Sequence, residues 1–305
     1  MEKVIVIVGP TGVGKTSLSI ALAKAINGEI ISGDAYQCYK EMNIGSAKIK
    51  EEEKQGIPHY LIDYVSYKEE YNVKMFQEAG RKYIKQVLEK GKVPIVCGGT
   101  GLYIKALLYD YHFEEEESDE EYQKQLQEMD NQELYHLLQK VDEKACATIH
   151  PNNRKRIIRA LMMAHAGMKK SERIEMQEHK PLYDVYSIGL TMERAHLYER
   201  INHRVEIMIE EGLEKEILSL VQKESDFQLQ SMRGIGYKEW IGYYREEASL
   251  EETIALIQKN SRNFAKRQYT WFNNQMPIHW YDVEKVERES IIKEVINFLE
   301  ADNEG

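Results

Sequence analysis

Apolar residues first gather in a continuous β-branched run, Val4–Val8, and a run without a polar member marks a strand buried on both faces of a parallel sheet. The run stops at Gly9. Ser17–Ile26 then carries helical spacing and closes at Asn27-Gly28. Glu29–Ser32 predicts a second short strand leading into Gly33-Asp34. Phe76, Ala79, Tyr83, Val87 and Leu88 recur at helical spacing before Gly91, and Val93–Cys97 predicts a third strand. Gly98-Gly99-Thr100-Gly101 follows, with a helix through Leu108. Such alternation predicts an α/β fold of βαβ units, a mostly parallel sheet flanked by helices. Strand runs vanish from about His112 to Pro181, so residues 112–182 are expected to form an inserted helical domain. Residues 1–111 and 183–305 then make one discontinuous core domain. Within the second part, Asp184–Leu190 and Ile278–Val283 predict strands; Glu193–Gln222, Tyr237–Tyr244, Leu250–Phe272 and Ile291–Leu299 predict helices.

Composition is that of an ordinary globular protein, 42% hydrophobic and 30% charged. No apolar run nears the ~20 residues of a membrane span, and the N-terminus lacks the basic start and cleavage site of a signal peptide. Cys38, Cys97 and Cys146 stand far apart, which argues against a disulfide framework and structural zinc, and the nine histidines show no ligand spacing. A cytoplasmic monomer is the expectation. Net charge is −10, unpromising for a partner of nucleic acid, but the charge is unevenly spread. Acid concentrates in Glu51–Glu53 and in Glu114–Glu121, the latter expected as a solvated loop. Base concentrates in Arg154-Lys155-Arg156-Ile157-Ile158-Arg159 and in Lys259–Arg267, which holds four cations and no acid. Lys259, Arg262 and Lys266 share a helical face beside Tyr269 and Trp271. That face reads equally as an RNA-tracking surface or as a solvated stripe over core aromatics. Arg194, Arg200 and Arg204 either roof a phosphate site or, for at least two of them, join surface salt bridges. Cys38 is read as filler.

Gly9-Pro10-Thr11-Gly12-Val13-Gly14-Lys15-Thr16 fits G-x-x-x-x-G-K-[ST] between a strand and a helix, the nucleotide-binding phosphate loop. Glycines let several N–H groups point inward, the helix N-terminus adds positive potential, Lys15 adds a point charge and the Thr16 hydroxyl suits Mg²⁺. The loop does not reveal whose phosphates it holds, since ATP-dependent kinases and GTPases share it. Asp34, past the second strand, sits where open α/β sheets bind ligands. It serves there as a general base, or as a cap or an outer partner of Mg²⁺ or Lys15. Thr100 either donates to a leaving oxygen or caps the helix that follows.

The run from Ile31 to Lys48, containing Ser32-Gly33-Asp34, Gln37, Tyr39 and Ile44-Gly45-Ser46-Ala47-Lys48, resembles the signature of the tRNA dimethylallyltransferases. Further motifs follow in family order: Ile57–Asp63, Gly98–Tyr103, His150–Asn153 through Leu161, Met232–Tyr237 and Ala265–Gln268. The resemblance spans Val4 to about Trp271 and implies transfer of a dimethylallyl group from its diphosphate to N6 of adenosine 37 in the anticodon stem-loop of tRNA. It implies that Asp34 takes the N6 proton and that Thr100 contacts the leaving diphosphate. Lys15, Thr16 and Arg233 would hold that diphosphate with Mg²⁺. Asp34, Ala35, Tyr36, Gln37, Thr100, Gln123, Lys155, Arg156, Ile157, Ile158, Arg159, Lys266 and Arg267 would meet the tRNA, the target base swung out of its stack. Ala35 stands where relatives usually have serine, Tyr36 where they have a smaller apolar residue, and Gln123 where they are often basic. No zinc-finger extension follows the core, which fits a bacterial type. A P-loop small-molecule or nucleoside kinase, and an RNA-binding module with an idle phosphate loop, are the competing readings.

Overall fold

In the computed structural model, which describes residues 1–113, 119–167, 169–172 and 180–301, the first apolar run is strand β1 (Lys3–Val8), inside a six-stranded sheet. β1 pairs on one side with β4 (Val93–Gly98) and on the other with β5 (Asp184–Thr191). Beyond β4 lie β2 (Gly28–Ser32) and β3 (His59–Tyr60), and beyond β5 lies β6 (His279–Asp282). Every pairing is parallel, so all carboxyl ends share one edge. Because successive strand residues face opposite ways, Val4, Val6 and Val8 join one buried cluster and Ile5 and Ile7 the other. The first cluster includes Phe76 of α3 (Val73–Glu89) and Leu107 of α4 (Gly101–Leu108). The second includes Leu22 of α1 (Lys15–Ala25) and Val295 of α13 (Arg288–Glu300). β1 thus carries its loop out at the middle of the sheet with helices over both faces, the switch-point geometry that favours ligand binding.

The chain divides into two compact units, Met1–Tyr109 with Leu182–Gly305, and Asp110–Pro181. The smaller is helical: α5 (Glu120–Glu128), α6 (Asn131–Val141), α7 (Glu143–Cys146) and α8 (Arg154–His165) close over Leu126, Leu134, Leu138, Ile157 and Leu161. Of the acidic run, 114–118 lie outside the described residues. The rest departs from the expected loop: Asp119 accepts the Tyr122 N–H at 2.9 Å, so Glu120 and Glu121 form the first turn of α5. Acid there is favoured by the helix dipole.

Two other elements differ from expectation, and the Glu51–Glu53 run, assigned no element from the sequence, takes one. Glu51–Glu53 opens a short helix, α2 (Glu51–Lys54), for the same dipolar reason. The amphipathic stretch from Glu193 is two helices, α9 (Arg194–Glu210) and α10 (Leu213–Leu220), broken at Gly212 with φ 98°. Before α11 (Trp240–Tyr244) the chain makes a 3₁₀ turn, Ser231–Arg233, and bends at Gly236. Helix α12 runs Leu250–Gln275 from a Ser249/Glu252 capping box.

Candidate active site

The loop after β1 takes a path that side chains resist. Gly9, Gly12 and Gly14 have φ of 144°, 82° and 107°, and a Cβ on Gly9 would lie 2.7 Å from the Leu190 carbonyl oxygen. Val13 anchors the loop in the core, so its contribution to a ligand is its backbone amide. Lys15 folds back, its ammonium donating to the Gly9 and Pro10 carbonyls at 2.9 and 2.8 Å. Burial pushes it down to about 8, against the pull of Cys97 and Asp34 and with added repulsion from Arg204. Thr16 is exposed at the head of α1.

Two further turns converge at this edge. Gly33 donates its N–H to the Cys97 carbonyl at 2.8 Å, and a Cβ on Gly98 would lie 2.3 Å from the Gly33 oxygen. The turns after β2 and β4 therefore touch backbone to backbone. Ala35 N–H donates to Thr100 Oγ1 at 3.1 Å, which occupies a lone pair and leaves the hydroxyl hydrogen to donate. Thr100 stands at the N-cap of α4 without a side-chain cap bond, so its hydroxyl serves the Asp34 turn instead. Asp34 Oδ1 accepts the N–H groups of Tyr36 at 2.8 Å and Gln37 at 3.3 Å, closing a turn through one oxygen with no helix behind it to cap. Its charge is felt by Lys15 and by Arg204.

Around this centre the expected residues separate by role. Tyr36 is half-buried and pushed up to about 12 by burial and by Asp34; its ring lies on Gly234, where a Cβ would come within 2.7 Å of it. That contact brings exposed Arg233 beside the Asp34 turn, and its guanidinium donates to the Gln228 carbonyl at 3.3 Å. Gln37 is engaged within the protein, accepting from Ser32 Oγ at 3.3 Å and donating to the Ala47 carbonyl at 3.2 Å. Cys38 is buried, with burial pushing its thiol up to about 12. On α12, Lys266 and Arg267 are exposed beside Trp271, along an open groove of about 430 Å³. Trp271 packs on Gly101 and also lines that groove, while Tyr269 donates to Thr191 Oγ1 at 3.0 Å.

In the smaller unit, Gln123, Lys155, Arg156 and Arg159 are exposed, Ile158 is half-buried and Ile157 lies wholly in the core. Arg154 caps α5, donating to the Leu126 and Gln127 carbonyls at 3.2 and 2.7 Å. Surface salt bridges do not account for Arg194, Arg200 or Arg204: among the described residues none of the three forms one. Arg204 is instead desolvated near Asp34 and donates to the Ala47 carbonyl at 3.3 Å. Its signal in the sequence was the spacing Leu197, Ile201, Arg204, because Leu197 and Ile201 pack against Gly12.

Sequence motifs missed one brace. Glu216 of α10 accepts the N–H groups of Asn43, Ile44 and Gly45 at 2.8–3.1 Å and the Tyr237 hydroxyl at 2.8 Å, fixing the loop whose Ala47 carbonyl receives Gln37 and Arg204. Among the described residues, no group of three or more His, Cys, Asp or Glu suited to a metal occurs and no helix is long and apolar enough to cross a membrane.

A family model described as IPP transferase matches residues 37–275. A tRNA dimethylallyltransferase of Bacillus anthracis is 47% identical over 98% of this chain and 96% of its own length. A tRNA isopentenylpyrophosphate transferase of Bacillus halodurans has a similar structure, at TM-score 0.74 and 42% identity, over 99% of this chain and 96% of that one. A eukaryotic dimethylallyltransferase acting on tRNA superposes at TM-score 0.85 and 28% identity, over 99% of this chain and 80% of that one.

Proposed function

The chain belongs to the IPP transferase family and is a tRNA dimethylallyltransferase, and we propose that it works through the Asp34–Thr100 pair, alkylating N6 of adenosine 37 in the anticodon stem-loop. The observation that carries this reading is the hydrogen bond from the Ala35 N–H of the Asp34 turn to Thr100 Oγ1, 3.1 Å, which ties the turn bearing the carboxylate to the threonine beside the phosphate loop. Many P-loop enzymes that transfer phosphoryl groups put a metal-orienting aspartate after the corresponding strand; here the strand runs into glycines and a threonine.

The diphosphate of dimethylallyl diphosphate lies against the amides of Gly12–Thr16, with Lys15 turning from the loop carbonyls to the incoming charge and Arg233 and Arg204 adding positive potential. A Mg²⁺ ion suits the donor set: one neutral hydroxyl, Thr16, with the oxygens of the diphosphate and water completing an oxygen shell. Bound there, it neutralises charge on the leaving group. The N6 lone pair attacks C1 of the allyl group, the C–O bond breaks, and its electrons leave with the diphosphate oxygen, which the Thr100 hydroxyl and neighbouring amides stabilise. As the N–C bond forms, N6 becomes acidic and Asp34 takes its proton through Oδ2, since Oδ1 is committed to the turn. The tRNA backbone is held by Lys266 and Arg267 and by Lys155, Arg156 and Arg159, cations whose exposure suits phosphate contacts. Ile157 serves by packing its helix, and Ala35 and Tyr36 shape the turn at the base. The tRNA substrate supports work in the cytoplasm, and a monomer is the proposed state.

The test is incubation with dimethylallyl diphosphate, Mg²⁺ and unmodified tRNA, followed by nucleoside digestion. N6-dimethylallyladenosine and released diphosphate are expected from tRNA with adenosine at position 37 and neither from tRNA with guanosine there. Absence of both products from tRNA with adenosine at position 37 would overturn the reading.

A further inference from the structure

Within the Ala265–Gln268 motif, Lys266 and Arg267 are assigned to the tRNA backbone, and Gln268 is left without a task. Its side chain lies 257 positions from Thr11 in the sequence, yet Oε1 accepts the Thr11 N–H at 3.1 Å. Its other end, Nε2, donates to the Gly99 carbonyl at 3.0 Å. The two partners fix the orientation of the amide, because an N–H only donates and a carbonyl only accepts. The residue is 5% exposed, so both bonds are made away from solvent.

Each bond holds one end of a peptide whose other end holds a neighbouring part of the site. The Pro10–Thr11 peptide presents its N–H to Gln268 and its carbonyl to the Lys15 ammonium at 2.8 Å. The Gly99–Thr100 peptide presents its carbonyl to Gln268 and its N–H to the Gly33 oxygen at 3.2 Å. Since N–H and C=O point oppositely across a planar trans peptide, holding one end aims the other. The second peptide follows two glycines, Gly98 and Gly99, which by themselves resist rotation little. Were it to turn over, its carbonyl would face the Gly33 oxygen and part the turn that carries Asp34 from the turn that carries Thr100. The site is shaped around this side chain: a Cβ on Gly99 would lie 2.2 Å from Nε2.

We propose that Gln268 is a positioning residue that registers the phosphate loop against the Gly98–Gly101 turn, so that Lys15 and Thr100 address one diphosphate together. The inference rests on the reading that both turns hold that group. Gln268 touches neither substrate nor reacting atoms in this role; it acts through the two peptides.

Gln268→Met keeps length and packing while removing both hydrogen bonds, and three quantities separate positioning from general damage. Calorimetric binding of pyrophosphate with Mg²⁺ is expected to weaken about tenfold or more, the loss of preorganised buried bonds. In the transfer assay KM for dimethylallyl diphosphate should rise and kcat fall, each by about tenfold, with KM for tRNA within about twofold of wild type. The folded variant should bind tRNA as wild type does. Should Gln268→Met fail to fold, Gln268→Glu carries the same expectation, keeping the Thr11 acceptor and replacing the Gly99 donor with an oxygen. Wild-type pyrophosphate affinity and kcat in a folded variant would overturn the inference, as would equal losses of tRNA and pyrophosphate binding. A wild-type protein that neither binds pyrophosphate nor transfers the allyl group would instead overturn the underlying reading of the site.

Discussion

Lys15 in the empty loop should make diphosphate binding depend on pH in the alkaline range, and the size follows from its surroundings. Burial holds its ammonium at about 8, outweighing Cys97 and Asp34 and aided by Arg204. A bound diphosphate brings negative charge and favours the ammonium, so its folded, liganded pKa lies higher. Binding above pH 8 therefore takes up a proton, and affinity falls by up to about tenfold per pH unit, or about 1.4 kcal/mol. From pH 7 to pH 9 the protonated fraction drops from about nine-tenths to about one-tenth, so Kd should rise about tenfold. The ligand itself adds little, because the last phosphate ionisation lies near about pH 6. Titration calorimetry of dimethylallyl diphosphate without tRNA, in two buffers of different ionisation enthalpy, reads both quantities at once. At pH 8.5 the expected uptake is about three-quarters of a proton. A Kd unchanged from pH 7 to 9 with no proton uptake would mean that Lys15 is fully charged in the empty loop and that its burial does not govern the site.

Asp34→Asn keeps an oxygen for the Tyr36 and Gln37 amides and removes the base; kcat should fall by roughly 10²- to 10⁴-fold with both substrate affinities within about twofold, and equal losses of rate and tRNA binding would mark a structural residue. Glu29, 2% exposed, is pushed upward by burial, but hydrogen bonds from Lys92, Tyr60 and Lys90 hold it lower, at about 2. Its folded value is below the unfolded one, so its stabilisation is present above about pH 4.5 and is lost as pH falls towards about 2. In urea titrations, Glu29→Gln should cost at most about 3 kcal/mol at neutral pH and flatten the acid side of the stability curve, while activity per folded molecule stays unchanged at the far edge of the sheet. Replacing Lys266 and Arg267 with alanine should weaken tRNA binding and lower the slope of log K against log salt by about 2 in filter-binding titrations; an unchanged slope would remove α12 from the interface.

What the sequence disclosed was local. β1 and its loop are contiguous, and the constraint is carried by Gly9, Gly12 and Gly14, whose backbone angles other residues resist. Asp34 and Thr100 were legible because each directly follows a strand, and parallel strands deliver such residues to one edge. That Thr100 holds the Asp34 turn and not its own helix depends on two turns touching at Gly33 and Gly98, which no periodicity encodes. Glu216 looks like any acid on an amphipathic helix until the chain returns Asn43–Gly45 from 171 to 173 positions away. Tyr269 and Trp271 were ambiguous between base and core because a helix pattern gives a face but not its neighbour; Thr191 engages Tyr269, while Trp271 both packs on Gly101 and lines the groove beside Lys266 and Arg267.

If carbon, not phosphorus, is attacked while the loop after β1 grips the departing group, the oxygen that joins them leaves with the diphosphate. Dimethylallyl diphosphate carrying ¹⁸O in the oxygen that joins C1 to phosphorus tests this directly, by mass spectrometry of the products after turnover with tRNA. All of the label is predicted in released diphosphate, with unlabelled dimethylallyl on adenosine. Label in dimethylallyl alcohol beside a phosphorylated acceptor would contradict it.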